Sequence, residues 1–236
     1  MQLIRIMSVF LVLAVVALGG GRTAVGARHR QPLCVRYRCS TLAATAQIRV
    51  YQARNRHPAV EELFLSSFVR WLPTGRVTPL GDYSETTEIV KLKLLALAGR
   101  FVADATESCG RQGCASSVSR LNAQTGHREN ATTSTTASEL DNPNHKCDGA
   151  PNAFGALGVT DLAVTRRGTV AWIIGGSYDD RNQIDLRSRT VCDLPPASSR
   201  PVVVNSDPAI EPKSLAAIAG HLYWTEHGAA RAAAIQ

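Results

Sequence analysis

The chain carries few of the marks that announce an enzyme. The Gly-x-Ser-x-Gly pattern of a nucleophile elbow is absent, and so are a phosphate loop and a dinucleotide fingerprint. Their absence removes the simplest hydrolase and nucleotide-binding readings. Aromatic residues are scarce, at 6% of 236 residues. Only Tyr37 and Tyr51 interleave with the arginines of residues 28–56, too few for a platform on which nucleic-acid bases stack. Negative charge is missing altogether before Glu61. After the first apolar run, residues 6–18, no second run is long enough to span a bilayer, and the first is itself short of the roughly 20 residues a spanning helix needs.

What is present begins with an export signal. Arg5 supplies a positive start, residues 6–18 form an apolar stretch, Gly19-Gly20-Gly21 ends it, and Val25-Gly26-Ala27 offers the small residues a signal peptidase reads. The expectation is a secreted or extracytoplasmic chain, with residues 1–27 a signal peptide. Six cysteines agree with an oxidising compartment: Cys34, Cys39, Cys109, Cys114, Cys147 and Cys192. Spacing favours two small loops, Cys34 with Cys39 and Cys109 with Cys114, which leaves Cys147 with Cys192. Two Cys-x4-Cys pairs also admit a shared metal, but thiolate sites are less expected where thiols oxidise. No metal or cofactor is therefore expected.

The net charge of +7 is unevenly placed. Arg28, Arg30, Arg36, Arg38, Arg49, Arg54 and Arg56 crowd one stretch with no acidic neighbour. They make residues 28–56 strongly basic, the part before the strand pattern, residues 28–45, being a basic N-terminal segment, and the stretch is either a solvated arm or a contact for an anionic cell-surface polymer or a protein partner.

From residue 46 the pattern is that of strands. Ala46, Ile48 and Val50 alternate with polar residues, and a second run over residues 64–72 leads through Pro73-Thr74-Gly75 into a return. Residues 89–98 suit a strand or a helix; Gly99-Arg100 followed by Phe101-Val102-Ala103 favours the strand. Residues 118–123 form a strand before Gln124-Thr125-Gly126. Residues 128–156, rich in Thr, Ser, Asn and Gly, read as a long loop, with Asn130-Ala131-Thr132 a formal glycosylation acceptor. Arg166-Arg167-Gly168 turns into Val170-Ala171-Trp172. Residues 175–180 read as a loop whose Asp179-Asp180 is a solvated turn, and Arg187-Ser188-Arg189 reads as a further turn. Around Gly220 the last hairpin leads into Tyr223-Trp224. His221 and His227 flank that strand at a spacing that does not suit a shared metal.

Aligned on Val50, Val102, Ala171 and Tyr223, the returning strands recur at intervals of 52, 69 and 52 residues. The turns at Thr74-Gly75, Thr125-Gly126 and Ser188-Arg189 recur at 51 and 63. Strand units repeated at such periods bury their cores against one another. The expectation is an all-β fold: a partial or small β-propeller-like array of about four antiparallel units over residues 46–236, with an insertion at 128–156 and the last unit one strand short.

Tyr223-Trp224-Thr225-Glu226 resembles the YWTD repeat of receptor-type β-propellers, with Glu replacing the final Asp, and Ala171-Trp172 is a thinner echo. The chain is also similar in style to exported propeller-like proteins of Ala- and Arg-rich composition. The resemblance implies that Trp172, Gly220, Tyr223 and Trp224 are structural, and it brings no catalytic residue. The function expected is a secreted, non-enzymatic binding or scaffold module, its ligand unknown. An extracellular hydrolase or lyase on the same scaffold, or a truncated repeat protein without independent function, are the alternatives.

Overall fold

The computed structural model describes residues 39–56, 63–84, 89–110, 113–130, 147, 158–178, 184–196, 198 and 200–235. They form fifteen strands in four antiparallel sheets, with no helix among the described elements. The first sheet is a meander of β1 (Cys39–Ala44), β2 (Ile48–Arg56), β3 (Leu63–Trp71) and β4 (Arg76–Ser84). The second follows with β5 (Ile89–Ala98), β6 (Phe101–Gly110), β7 (Gly113–Asn122) and β8 (Arg128–Asn130). The third holds β9 (Gly158–Val164), β10 (Val170–Tyr178), β11 (Ile184–Leu194) and β12 (Val202–Ser206). The fourth has three strands, β13 (Ala216–Ile218), β14 (His221–Glu226) and β15 (Ala229–Ala234). Among the described residues no helix is long and apolar enough to cross a membrane.

Each sheet is an up-and-down meander because short turns permit nothing else. Gly75, Gly99, Gly126, Gly168 and Gly220 all sit at positive φ in these hairpins, a region that costs other residues strain. At Gly168 packing adds a second demand, since a Cβ there would lie 2.8 Å from the Phe101 ring.

The sheets stack in chain order through the two faces of their second strands. On β6, Phe101, Ala103 and Ala105 pack against Val170, Trp172, Ile174 and Leu194 of the third sheet. Val102, pointing the other way, joins Ile48, Val50, Val69 and Leu80 of the first sheet. On β10, Ala171 and Ile173 turn from the second sheet to meet Leu222 and Trp224 of the fourth. Alternation along a strand thus lets one strand seal two interfaces. The first strands run beside one another, β1 by β5, β5 by β9, and β9 by β13. All four alignment residues, Val50, Val102, Ala171 and Tyr223, fall on second strands.

The structure corrects several local readings. Residues 175–178 belong to β10, and Arg187-Ser188-Arg189 lies inside β11, so neither is a break. A register shift between Gly175 and Ser177 absorbs the irregularity instead. The turn equivalent to Gly75 and Gly126 is the proline-rich connector after Leu194, which removes Ser188-Arg189 as a spacing marker. The loop expected from residue 128 starts later, because Arg128–Asn130 pairs with β7 as a fourth strand. Cys39–Ala44, read as part of the basic segment, is the first strand of the first sheet.

Cys147 is fully buried and bonded to Cys192, with Cα atoms 5.8 Å apart. Cys39 is also disulfide-bonded, and the register sets Cys109 opposite Cys114. No free cysteine occurs among the described residues.

Candidate functional site

The first hairpin turns of the four sheets open onto one end of the molecule. A cavity of about 610 Å³ is bounded by Thr45-Ala46-Gln47, Leu97-Ala98-Gly99 and Arg166. A neighbour of about 670 Å³ shares Leu97, Ala98 and Arg166 and extends to Thr165, Arg167, Ala217 and Ile218. The two form a continuous basin floored by small and aliphatic side chains.

Two arginines stand in it. Arg166 and Arg167 are exposed, and neither has a hydrogen-bond or ion-pair partner among the described residues. The stem of Arg166 crosses from the third sheet onto the second, with Cγ 3.6 Å from where a Gly99 side chain would begin. Both arginines occupy a turn that is tightly held. Thr165 accepts from the amide of Thr169 through its hydroxyl (3.0 Å), and Gly168 donates to the Thr165 carbonyl (3.0 Å). From the second sheet, Arg120 reaches the same turn. Only 4% exposed, it donates to the carbonyls of Gly168 (2.7 Å), Pro195 (3.0 Å) and Pro196 (3.0 Å). Its charge is matched by Glu129, which accepts from both Nε and Nη2. Burial would raise the Glu129 pKa, but the hydrogen bond and charge of Arg120, joined by His127, outweigh it and hold the carboxyl below its usual value.

A comparable knot fastens the first sheet to the second. Asp104 is buried, accepts from the Ser119 hydroxyl at 2.5 Å and pairs with Arg128 at 2.9 Å. Arg128 also donates to the Leu80 carbonyl of β4. Burial is the stronger influence on Asp104 and raises its pKa despite Arg128 and Ser119.

The sequence-identified residues divide sharply. Trp172 is fully buried between the second and third sheets, its indole nitrogen without a hydrogen-bond partner among the described residues. Trp224 is buried between the third and fourth, while Tyr223 is 39% exposed beside His221 on the opposite face. The expectation of a packed Tyr-Trp pair holds for one member only, because neighbours on a strand face opposite ways. Glu226 lies 3.4 Å from the Trp224 Nε1 and accepts from Asn205 of β12 at 2.6 Å, a bridge from the fourth sheet to the third. Arg49 donates to Thr41 across the first sheet (2.6 Å), and Arg54 is exposed on β2. Arg28, Arg30, Arg36, Arg38 and Cys34 lie outside the described residues, as do Asp179 and Asp180 and all but the first residue of the glycosylation triplet. The side chain of Arg56 is likewise not described.

At the opposite end of the third and fourth sheets, Asp207, Glu226 and His227 bring potential ligand atoms within 4.8 Å of one another. Asp207 accepts from the amide of Ala209 (2.7 Å), and Glu226 is held by Asn205 with Arg231 at 3.6 Å. These three are the described residues best placed to hold a cation. The sequence sets His227 only beside His221, at a spacing that does not suit a shared metal, because Asp207 lies far back in the chain, just after β12 of the third sheet. Neither the basin nor this cluster leaves a motif; the one signal for the basin was the Arg166-Arg167-Gly168 turn.

Fold and site together define an all-β protein of four tandem antiparallel sheets with a cationic basin at one end. No protein-family model matches the chain, and no curated protein does. Among solved structures it is similar to the crystal structure of Porphyromonas gingivalis dipeptidyl peptidase 4, with a TM-score of 0.43 and 9% identity. That match covers 76% of this chain and 31% of the other, so the chain spans about a third of its length.

Proposed function

We propose that the chain is a secreted, non-enzymatic binding module of propeller type whose ligand is an anionic polymer. Four tandem meanders with adjacent first strands support the propeller reading, as does the resemblance at Tyr223-Trp224-Thr225-Glu226. The leader and the Cys147–Cys192 bond support secretion. The observation that carries the ligand class is the pair of unpaired guanidiniums, Arg166 and Arg167, standing over an apolar floor between sheets. A planar guanidinium with free donors binds sulfate, phosphate or carboxylate groups in paired hydrogen bonds. Arg49 and Arg54 on β2 add positive charge elsewhere on the molecule and would aid approach.

The test is retention of the mature protein on immobilised heparin and on immobilised polyphosphate across a salt gradient. Wild type elutes at raised salt on one or both, and the Arg166→Ala/Arg167→Ala protein elutes markedly earlier. Elution of both proteins at the same salt overturns the assignment to the basin. The hydrolase alternative rests on the Asp207, Glu226 and His227 cluster, and is favoured only if Glu226→Gln abolishes a measured hydrolytic activity without changing the melting temperature.

A further inference from the structure

The strands of the first sheet carry five arginines and one acidic residue, Asp82. Two of the arginines face each other. Arg49 of β2 lies directly opposite Arg70 of β3, and both are exposed. Like charges set opposite on neighbouring strands repel. No carboxylate pairs with either arginine among the described residues, and Asp82 stands further along, opposite Ser66. The arginines that fasten one sheet to the next differ in this respect, since Arg120 and Arg128 each hold a carboxylate.

The pair is held together rather than splayed apart. Arg49 donates twice to the Thr41 hydroxyl of β1, from Nε at 2.9 Å and from Nη2 at 2.6 Å. Arg70 has no hydrogen-bond partner among the described residues. The next pair along the same face is Tyr51 opposite Phe68, their rings stacked at 5.5 Å. The Tyr51 hydroxyl makes no hydrogen bond among the described residues. Burial raises its pKa, and the charges of Arg70 and Arg49 oppose that rise, so both guanidiniums act on the phenol. Two guanidiniums and one hydroxyl thus gather with donors to spare and no anion between them.

This face begins where the basin ends. Thr45-Ala46-Gln47, the turn from β1 to β2, bounds the basin together with Arg166. Arg49 follows two residues later, about 7 Å along an extended strand. The turn is exposed and fixed in place, its Thr45 hydroxyl accepting from the amides of Gln47 (3.3 Å) and Ile48 (3.1 Å). We propose that the anionic polymer assigned to the basin continues over this turn, and that Arg49, Arg70 and the Tyr51 hydroxyl form its second anion subsite. The inference rests on the basin reading and narrows it. The ligand is a linear chain that carries sulfate or phosphate groups at intervals and is long enough to cross the turn. Such groups accept paired hydrogen bonds from guanidinium edges. Two subsites on one chain reinforce each other, because binding at the first raises the effective concentration at the second.

The test measures, by calorimetry at fixed salt, the affinity of the full mature chain for long-chain polyphosphate and for heparin. Arg49→Gln/Arg70→Gln binds at least one of them about tenfold or more weakly than wild type, below what linked subsites usually contribute. Tyr51→Phe, which keeps the ring on Phe68, weakens the same polymer about threefold. Lys91→Gln/Arg231→Gln removes the same charge from exposed positions on β5 and β15 and stays within about twofold of wild type. The polymer that shows the larger loss identifies the bound group as phosphate or sulfate. Equal affinity of wild type and Arg49→Gln/Arg70→Gln for both polymers overturns the subsite. An equal loss in Lys91→Gln/Arg231→Gln also overturns it, by showing that only total charge matters. Loss in Arg166→Ala/Arg167→Ala but not in Arg49→Gln/Arg70→Gln leaves the basin standing and overturns the second subsite alone. No binding of either polymer by wild type overturns the basin reading and the subsite together.

Discussion

Asp193 makes the sharpest physical prediction, and it concerns stability rather than binding. Burial lifts its carboxyl from an ordinary 3.8 to about 6, with no compensating cation. The unfolded chain releases this proton near 3.8, whereas the folded chain holds it until about 6. The folded state therefore binds more protons between those values, and stability falls as pH rises through that window. The contribution is fully present below the unfolded pKa and is lost above the folded one. Taken whole, that rise in pKa corresponds to about 3 kcal/mol, and the access of water to the carboxyl from the cleft lined by Val202 and Ala234 reduces it to about 1–2 kcal/mol. Replacing Asp193 by Asn removes the titration but keeps the shape, so any cost of burying the amide is the same at every pH. The measurement is urea unfolding of wild type and Asp193→Asn at several pH values from 4 to 7.5, followed by the change in tryptophan fluorescence. Wild type should lose about 1–2 kcal/mol relative to the variant across that range, mostly between pH 4 and 6. Asp104 and Glu129 titrate in both proteins and cancel in the difference. Parallel curves would show that Asp193 is solvated or paired in solution, and would refute the reasoning.

Three further outcomes test the interfaces. Arg120→Met strands three carbonyls and Glu129 at the junction of the second and third sheets; it should cost about 3–5 kcal/mol in urea unfolding and also weaken retention through Arg166 and Arg167, whose turn it holds. Gly168→Ala, at a φ of +96° and against the Phe101 ring, should cost about 2–3 kcal/mol, while Gly220→Ala, with open space around it, should cost only the backbone strain of about 1 kcal/mol. Replacing both Cys147 and Cys192 by Ala opens a link between residues 45 apart in sequence and should lower stability by about 4 kcal/mol; an unchanged urea midpoint would count against the bond as a stabilising link.

Much of the strand content was legible because the period-2 alternation is strong where a strand has one polar and one apolar face. Residues 46–51, 101–103 and 118–123 show it, and glycines mark the turns between them. The reading failed where irregularity substitutes for a turn. Arg187-Ser188-Arg189 looks like a break because it is polar, yet β11 runs through it as one strand, with residues 186–188 bulging opposite the single residue Gly176 of β10. The brevity of β8 hid it, since three residues carry no measurable period. Tyr223 and Trp224 were read as one unit because they are adjacent in sequence. On a strand, adjacency guarantees the opposite, and only Trp224 reaches the core.

The functional features were less legible, for a physical reason. Arg166 and Arg167 were visible as a turn, but their setting among Leu97, Gly99 and Ile218 depends on three sheets meeting. Asp193 was invisible among nineteen acidic residues. Its isolation follows from what surrounds it, and those neighbours come from β10, β12 and β15.

By itself the sequence determined the local rules of this protein. Its alternation dictates strands, its glycines dictate hairpins, and its repeat period of about 52 residues divides the chain into tandem units. These depend on interactions a few residues apart, which a linear chain records directly. The tertiary structure decided which face of each strand meets which neighbour, which arginine is buried as a fastener and which stands free, and which carboxyl lacks a partner. Those outcomes arise when sheets far apart in sequence stack and exclude water between them, and charge acquires its meaning from that exclusion.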